Sequence, residues 1–141
     1  NDNRSNLILS RVSKLLKNRL KNKKICFLGV TFKANTDDMR EASSIPMINY
    51  LNKKGSKIRY YDPSGRKKEL DKLKNVKFYS SVSSACIKSD LIIIHTEWNA
   101  FKLLDFKRLV KKKNFKVFDM RNIYSQDKMR DLRIDYTSIG R

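Results

Sequence analysis

An open, mostly parallel α/β sheet with helices on both faces is the fold this chain predicts, on three observations. Apolar runs of strand length recur along it, at residues 24–30, Lys57–Tyr61, 91–95 and Lys116–Asp119. Between them lie stretches with helical spacing or helix-start and turn signals, so the periodicity alternates from one element to the next. The first apolar run ends in Gly29-Val30 and passes into a polar loop, 32–41, that carries Lys33 and Arg40. Ligands of open α/β sheets sit beyond the carboxyl ends of the strands, where the strand order reverses, so that loop is the first place to look for a binding function.

Residues 1–20 read as a helix, because Leu9, Val12, Leu16 and Leu20 share one face with Ile8 and Leu15 beside them. Residues 24–30 form a continuous apolar run, as expected of a central parallel strand covered on both faces. Ser43-Ser44-Ile45-Pro46 predicts a helix start with a serine cap and a proline in the first turn. Ile45, Met47, Ile48 and Leu51 give that helix its apolar stripe, and Gly55 stands where a helix-ending glycine belongs. Lys57–Tyr61 is a second strand, stopped by Asp62-Pro63-Ser64-Gly65. Strand, helix and strand at this spacing make a right-handed crossover.

A basic helical stretch over 66–74, a short strand at 76–79 and a short helix at 81–88 come next. A buried strand at 91–95, a helix at 105–112, a strand at Lys116–Asp119 and an edge strand at 135–139 complete the alternation. The chain therefore predicts a Rossmann-like sheet, without internal repeats or low-complexity linkers.

With 141 residues the chain is one domain, large enough to bury a core. Thirty-three Lys and Arg against fourteen Asp and Glu give a net charge of +19, which favours anionic partners. Those cations are dispersed over expected helix surfaces and turns, which reads as solvated surface; the alternative is that they gather into one functional patch. No run approaches the ~18 apolar residues of a membrane span, and no signal peptide is visible, so a soluble, cytoplasmic protein is expected. Cys26 falls in an apolar strand and Cys86 in a helix, with no metal spacing between them, and both read as reduced, buried thiols.

Three loops leave the carboxyl ends of strands expected to be neighbours: 31–41, 96–101 and 120–124. They open on one edge and place Lys33, Arg40, Trp98 and Arg121 around one crevice. A phosphate is the natural counter-ion there, since lysine acts as a point charge and arginine offers a planar fork. Each cation has a plainer alternative. Arg40 has Asp37, Asp38 and Glu41 within reach, Lys33 can be a surface lysine, Arg121 can pair with a nearby acid, and Trp98 can be core. The four glycines form no GxGxxG fingerprint, and no phosphate-binding glycine loop, metal cluster or Ser-His-Asp set can be assembled. His95, the only histidine, reads as structural at the end of an Ile-rich strand.

Six ordered motifs carry a family resemblance. They are Gly29-Val30-Thr31-Phe32-Lys33 with Asn35-Thr36-Asp37-Asp38-Met39-Arg40-Glu41, then Ser44-Ile45-Pro46, Tyr61-Asp62-Pro63 and Thr96-Glu97-Trp98. Phe118-Asp119-Met120-Arg121-Asn122-Ile123-Tyr124 and the terminal Ser138-Ile139-Gly140-Arg141 follow. Together they resemble the C-terminal domain of the UDP-glucose/GDP-mannose dehydrogenases over nearly the whole chain, and the later motifs look most like the UDP-glucose 6-dehydrogenase branch.

The resemblance implies an NAD-dependent enzyme that oxidises UDP-glucose to UDP-glucuronate, a homodimer as the full-length protein, with no nucleic-acid or membrane partner. On that basis residues 1–20 are the end of a central helical region and 21–141 the UDP-sugar-binding domain. The N-terminal NAD-binding domain, with the cysteine that forms the thioester intermediate, is then absent, and the chain alone is expected to be inactive. Neither Cys26 nor Cys86 matches that cysteine. By position, Phe32, Lys33 and Arg121 resemble UDP-sugar contacts and Arg40 a contact to NAD, while Met120 stands where the family usually has glycine. Two alternatives remain from the residues themselves: a nucleic-acid-binding module, suggested by charge and aromatic content, and a non-catalytic interaction domain.

Overall fold

The structure, a computed structural model, describes residues 2–141. Its described residues form a six-stranded sheet in the order β3-β2-β1-β4-β5-β6, with every neighbouring pair parallel. The strands are β1 (Lys24–Leu28), β2 (Lys57–Tyr61), β3 (Val76–Phe78), β4 (Leu91–Ile94), β5 (Lys116–Asp119) and β6 (Asp135–Ser138). The helices are α1 (Asp2–Leu15), α2 (Ser44–Lys53), α3 (Lys68–Asp71), α4 (Val82–Cys86), α5 (Phe106–Val110) and α6 (Gln126–Asp131). The expected Rossmann-like sheet is present and is parallel throughout. Its order reverses between β1 and β4, so that pair is the switch point.

Alternation of side chains along the central strands divides the core in two. Ile25 and Phe27 of β1, Leu91 and Ile93 of β4, and Phe118 of β5 pack with Leu9 and Val12 of α1 and Ile48 and Leu51 of α2. Cys26, Leu28, Ile92, Ile94 and Val117 point the other way, onto Ala85, Phe106, Val110 and Met129 of α4, α5 and α6. Both faces are therefore apolar and covered, the condition that a parallel sheet needs. No helix among the described residues is long and apolar enough to cross a membrane.

Several elements differ from the sequence reading, each for a local reason. The first helix stops at Leu15, because Lys17 and Asn18 take left-handed backbone and the Asn18 amide closes onto the Ser13 carbonyl at 2.7 Å. Leu16 and Leu20 still reach the core from the turn that follows. The basic stretch at 66–74 is helical only over Lys68–Asp71. A sixth helix, Gln126–Asp131, escaped the periodicity because it is short; Ser125 caps it, accepting from the Lys128 amide.

The expected serine cap of α2 is corrected. Ser43 has helical backbone and makes no capping bond. Its hydroxyl instead meets His95 Nε2 at 2.8 Å, and the Ser44 hydroxyl donates to the Val30 carbonyl at 2.5 Å. These serines tie α2 to the ends of β1 and β4, and that use outcompetes capping. Gly55 performs as expected, with φ +90° and its amide on the Asn52 carbonyl.

Gly29 sets how closely the two central strands part. At φ +80°, a Cβ there would lie 2.6 Å from Thr96 Cβ and 2.8 Å from Thr96 Oγ1. Gly65 has φ +100° but open space around it. Gly29→Ala should therefore lower stability by about 2 kcal/mol or more, from strain plus collision, and Gly65→Ala by strain alone. Urea unfolding of the two variants checks this; equal midpoints would contradict it.

Candidate functional site

The loop after β1 is held from several directions. The Val30 amide donates to Asp62 Oδ2 at 2.8 Å, which ties the β1 exit to the buried carboxylate after β2. Asp62 also accepts from the Ser64 amide and hydroxyl, which fixes the turn beyond β2. Thr31 is fully buried; its hydroxyl donates to the Lys33 carbonyl at 2.9 Å, and its carbonyl accepts from Thr96 Oγ1 at 3.1 Å. The Phe32 amide closes the loop onto the Asp38 carbonyl at 2.9 Å. Backbone fixed this way leaves the Phe32 ring 44% exposed and Lys33 exposed, two side chains displayed on a rigid support.

Asp119 does for β5 what Asp62 does for β2. Buried at the strand end, it accepts from the Arg121, Ile123 and Tyr124 amides and from the Tyr136 hydroxyl. Burial, and then the bond to this carboxylate, push the Tyr136 hydroxyl up to about 12, so it stays a donor at neutral pH. The loop thus fixed delivers Arg121 to the switch point. Its Nε donates to the His95 carbonyl at 2.9 Å and its Nη2 to the Phe32 carbonyl at 3.3 Å. One guanidinium joins the loops after β1, β4 and β5. Among the described residues the acid pairing considered for Arg121 is not made by its side chain; Asp119 takes its backbone amide instead.

His95 lies beneath this crossing and is buried. Nε2 meets Ser43 Oγ at 2.8 Å and Nδ1 meets Thr96 Oγ1 at 3.0 Å. Because Thr96 Oγ1 spends its proton on the Thr31 carbonyl, it accepts from Nδ1–H, and Nε2 accepts from Ser43. The tautomer follows: a neutral ring protonated on Nδ1. Burial, then the nearby Arg121 charge, lower its pKa from 6.5 to about 3, partly offset by a bond to the Gly29 backbone. The structural reading of His95 agrees with this geometry.

Of the residues singled out in the sequence, the structure joins Phe32 and Arg121 directly, with Lys33 next in the chain. Arg40 lies on the same loop, with its guanidinium forked onto Asp38 through Nε and Nη2, both at 3.0 Å. That bond holds the Asp38 carboxyl below its ordinary range, and the pair is solvent-facing, with the Arg40 side chain 89% exposed. Such a pair contributes little to stability and stays available for exchange. Trp98 packs partly buried against the core on the α4–α6 side, and its indole N–H has no partner among the described residues.

Sequence reading did not single out Asp62, Asp119, Ser43 and Ser44 as the residues that position the site. Their signal was present as an aspartate at the carboxyl end of each of two strands, and as a serine pair one loop beyond Gly29. The larger grooves, of about 900 and 560 Å³, lie along the opposite edge of the sheet, at the strands' amino ends. Size alone would favour them. The switch point and its joined loops place the binding chemistry of this fold at the carboxyl edge.

A doubly wound sheet with two cations and a displayed aromatic ring at its switch point defines a nucleotide-binding type of domain. Residues 26–126 match the UDP-glucose/GDP-mannose dehydrogenase family, UDP binding domain, and the chain belongs to that family. It is 35% identical to the UDP-glucose 6-dehydrogenase of Rhizobium meliloti over 144 aligned residues, which cover 100% of this chain and 32% of that protein. The Gallus gallus enzyme of the same name is 34% identical, over 87% of this chain and 28% of its own length. The chain thus spans about a third of the length of the curated relatives it matches.

Among solved structures, a UDP-D-ManNAc dehydrogenase from Pyrococcus horikoshii superposes with a TM-score of 0.78 at 21% identity, covering 100% of this chain and 32% of that one. A UDP-glucose dehydrogenase from Pyrobaculum islandicum gives 0.75 at 23%, covering 97% and 29%. Both show the same fold.

A pH dependence follows from His95. In the unfolded chain it titrates near 6.5 and in the folded chain near 3, so the unfolded state binds the extra proton between these values. The contribution is complete above pH 6.5 and is lost as pH falls, by about 1 kcal/mol per pH unit in the steep region. Denaturant unfolding from pH 7 to 4 should therefore be flatter for His95→Asn than for the parent chain. Parallel curves would contradict the buried neutral ring.

Proposed function

We propose that this chain is the UDP-sugar clamp of an NAD-dependent UDP-glucose 6-dehydrogenase. The observation that carries the proposal is the Arg121 bridge. It brings the loops after β1, β4 and β5 together at the switch point, beside Lys33, in a chain whose family is that of UDP-binding domains. Lys33 supplies charge to the diphosphate and the adjoining sugar, the exposed Phe32 ring offers an apolar face, and the remaining N–H groups of Arg121 contact the nucleotide. Binding energy from the charged diphosphate then positions the distant sugar C6 for reaction.

The overall reaction is a four-electron oxidation of the C6 alcohol to a carboxylate. Water provides the second oxygen, two NAD⁺ accept the two hydrides, and protons leave to solvent. NAD has little to hold it here: the β1 exit reads Gly29-Val30-Thr31-Phe32 and lacks the glycines that let a pyrophosphate approach a backbone turn. Arg40, exposed and held by a solvent-facing aspartate, is the residue of this chain that would reach it. A separate dinucleotide-binding half supplies the rest of that site and the cysteine for the thioester step, so the isolated chain is inactive; as a separate part of the proposal, the whole enzyme is a homodimer. The share of the curated relatives that the chain spans supports this division.

In the whole enzyme, Lys33→Ala should lower kcat/KM for UDP-glucose by about tenfold or more, a loss of about 1.4 kcal/mol in transition-state binding. Lys72→Ala, at an exposed lysine just past α3, should stay within about twofold. Steady-state kinetics on the two variants decides; equal, small effects would overturn the assignment of Lys33.

A further inference from the structure

The amino edge of the sheet carries a different kind of surface. Eight residues lining the wider groove are lysine or arginine, and two are aspartates. Both aspartates are neutralised, Asp90 by Lys112 and Asp135 by Lys116. Lys17, Arg19, Lys107, Lys113 and Arg133 line the same groove, and their side chains make no hydrogen bond or ion pair among the described residues. The narrower groove has six cations among ten lining residues and no acid. Lys57, Lys74 and Lys77 there are unpaired among the described residues.

Consecutive residues at the start of β1 line the two grooves, Lys23 the wider and Lys24 the narrower. Together the grooves follow the sheet edge from β3 to β6, five strand spacings or about 24 Å. Some edge cations have a structural use: Lys88 donates to the Lys111 carbonyl, and Arg59 to carbonyls of Ser84 and Ile87 at the end of α4. The eight unpaired ones have none, and like charges so close cost repulsion in the folded state.

We propose that this amino edge binds a single-stranded nucleic acid through its phosphates. Concavity favours a chain laid along the grooves over a flat bilayer, which would touch only their rims. An edge of about 24 Å holds roughly four nucleotides or more of an extended strand, the low end of known site sizes. Six of the eight unpaired cations are lysines, compact point charges that meet phosphate without selecting a shape. The grooves' aromatic residues are Phe115, which is buried, and Tyr79, whose ring lies under Arg59. Bases therefore find no free stacking platform, and recognition is independent of sequence. Both sheet faces are apolar and covered by helices, so the edge, not a face, carries this surface. It lies at the opposite end of the strands from Lys33 and Arg121 and does not rest on the UDP-sugar reading.

Fluorescence anisotropy with a labelled oligouridylate of about 20 nucleotides, on the full-length protein over a range of salt, tests the proposal. Two charge-matched triple variants are compared: Lys57→Gln with Lys113→Gln and Arg133→Gln at the edge, and Lys68→Gln with Lys102→Gln and Lys128→Gln at exposed positions elsewhere. The edge variant should lose affinity about tenfold or more near 150 mM salt, its log–log salt slope shrinking by about 2, while the control stays within about threefold. Saturating UDP should change neither. Equal losses in the two variants, or no binding by the parent protein near 150 mM salt, would overturn it. So would edge-dependent binding to phosphatidylglycerol vesicles without binding to the oligonucleotide.

Discussion

Strands β1 and β4 part at their carboxyl ends across a gap that a side chain on residue 29 would fill, since its Cβ would sit 2.6 Å from Thr96. That close approach lets Thr96 bond the Thr31 carbonyl and lets one arginine span from His95 to Phe32. Without it the three loops would be separate surface segments. With it, they become one support on which Phe32 and Lys33 are displayed. The chain of bonds Ser43–His95–Thr96–Thr31 runs in one proton direction and keeps the imidazole neutral. A charged ring there would repel the guanidinium that joins the loops.

Charge is divided unequally between the two ends of the strands. At the carboxyl edge Asp38, Asp62 and Asp119 are each engaged by local backbone or by Arg40, so the cations left for a ligand are few and fixed. At the amino edge the acids are fewer and already paired, and many lysines are left over. A small dianionic nucleotide needs a few well-placed donors, whereas a polyanion needs only a dense field. The two ends of one sheet are suited to these two tasks, and the net charge of +19 arises mostly from the second.

The central fold was legible because β1 and β4 are buried on both faces and read as unbroken apolar runs. Residues 31–41 stood out for the same reason: a glycine ending such a run, then a polar loop. Short elements were harder. Helices of four to six residues, such as Lys68–Asp71 and Gln126–Asp131, hold too few turns for periodicity to show. Ser43 misled because a serine before a helix normally caps it, and only the tertiary partner His95 redirects its hydroxyl. Arg121 was recognisable as a residue but not as a bridge, since its two acceptors are main-chain carbonyls that leave no mark in sequence. The gathering of lysines at one edge was hidden because they come from elements far apart along the chain.

The most direct measurement is an NMR titration of the isotopically labelled chain with UDP, and in parallel with uridine, which lacks the diphosphate. The account predicts UDP-dependent shifts at Phe32, Lys33, His95 and Arg121, much weaker with uridine and lost in Lys33→Ala. Shifts centred instead on Lys57, Lys113 and Arg133, or the same response to both ligands, would contradict a diphosphate clamp at the switch point.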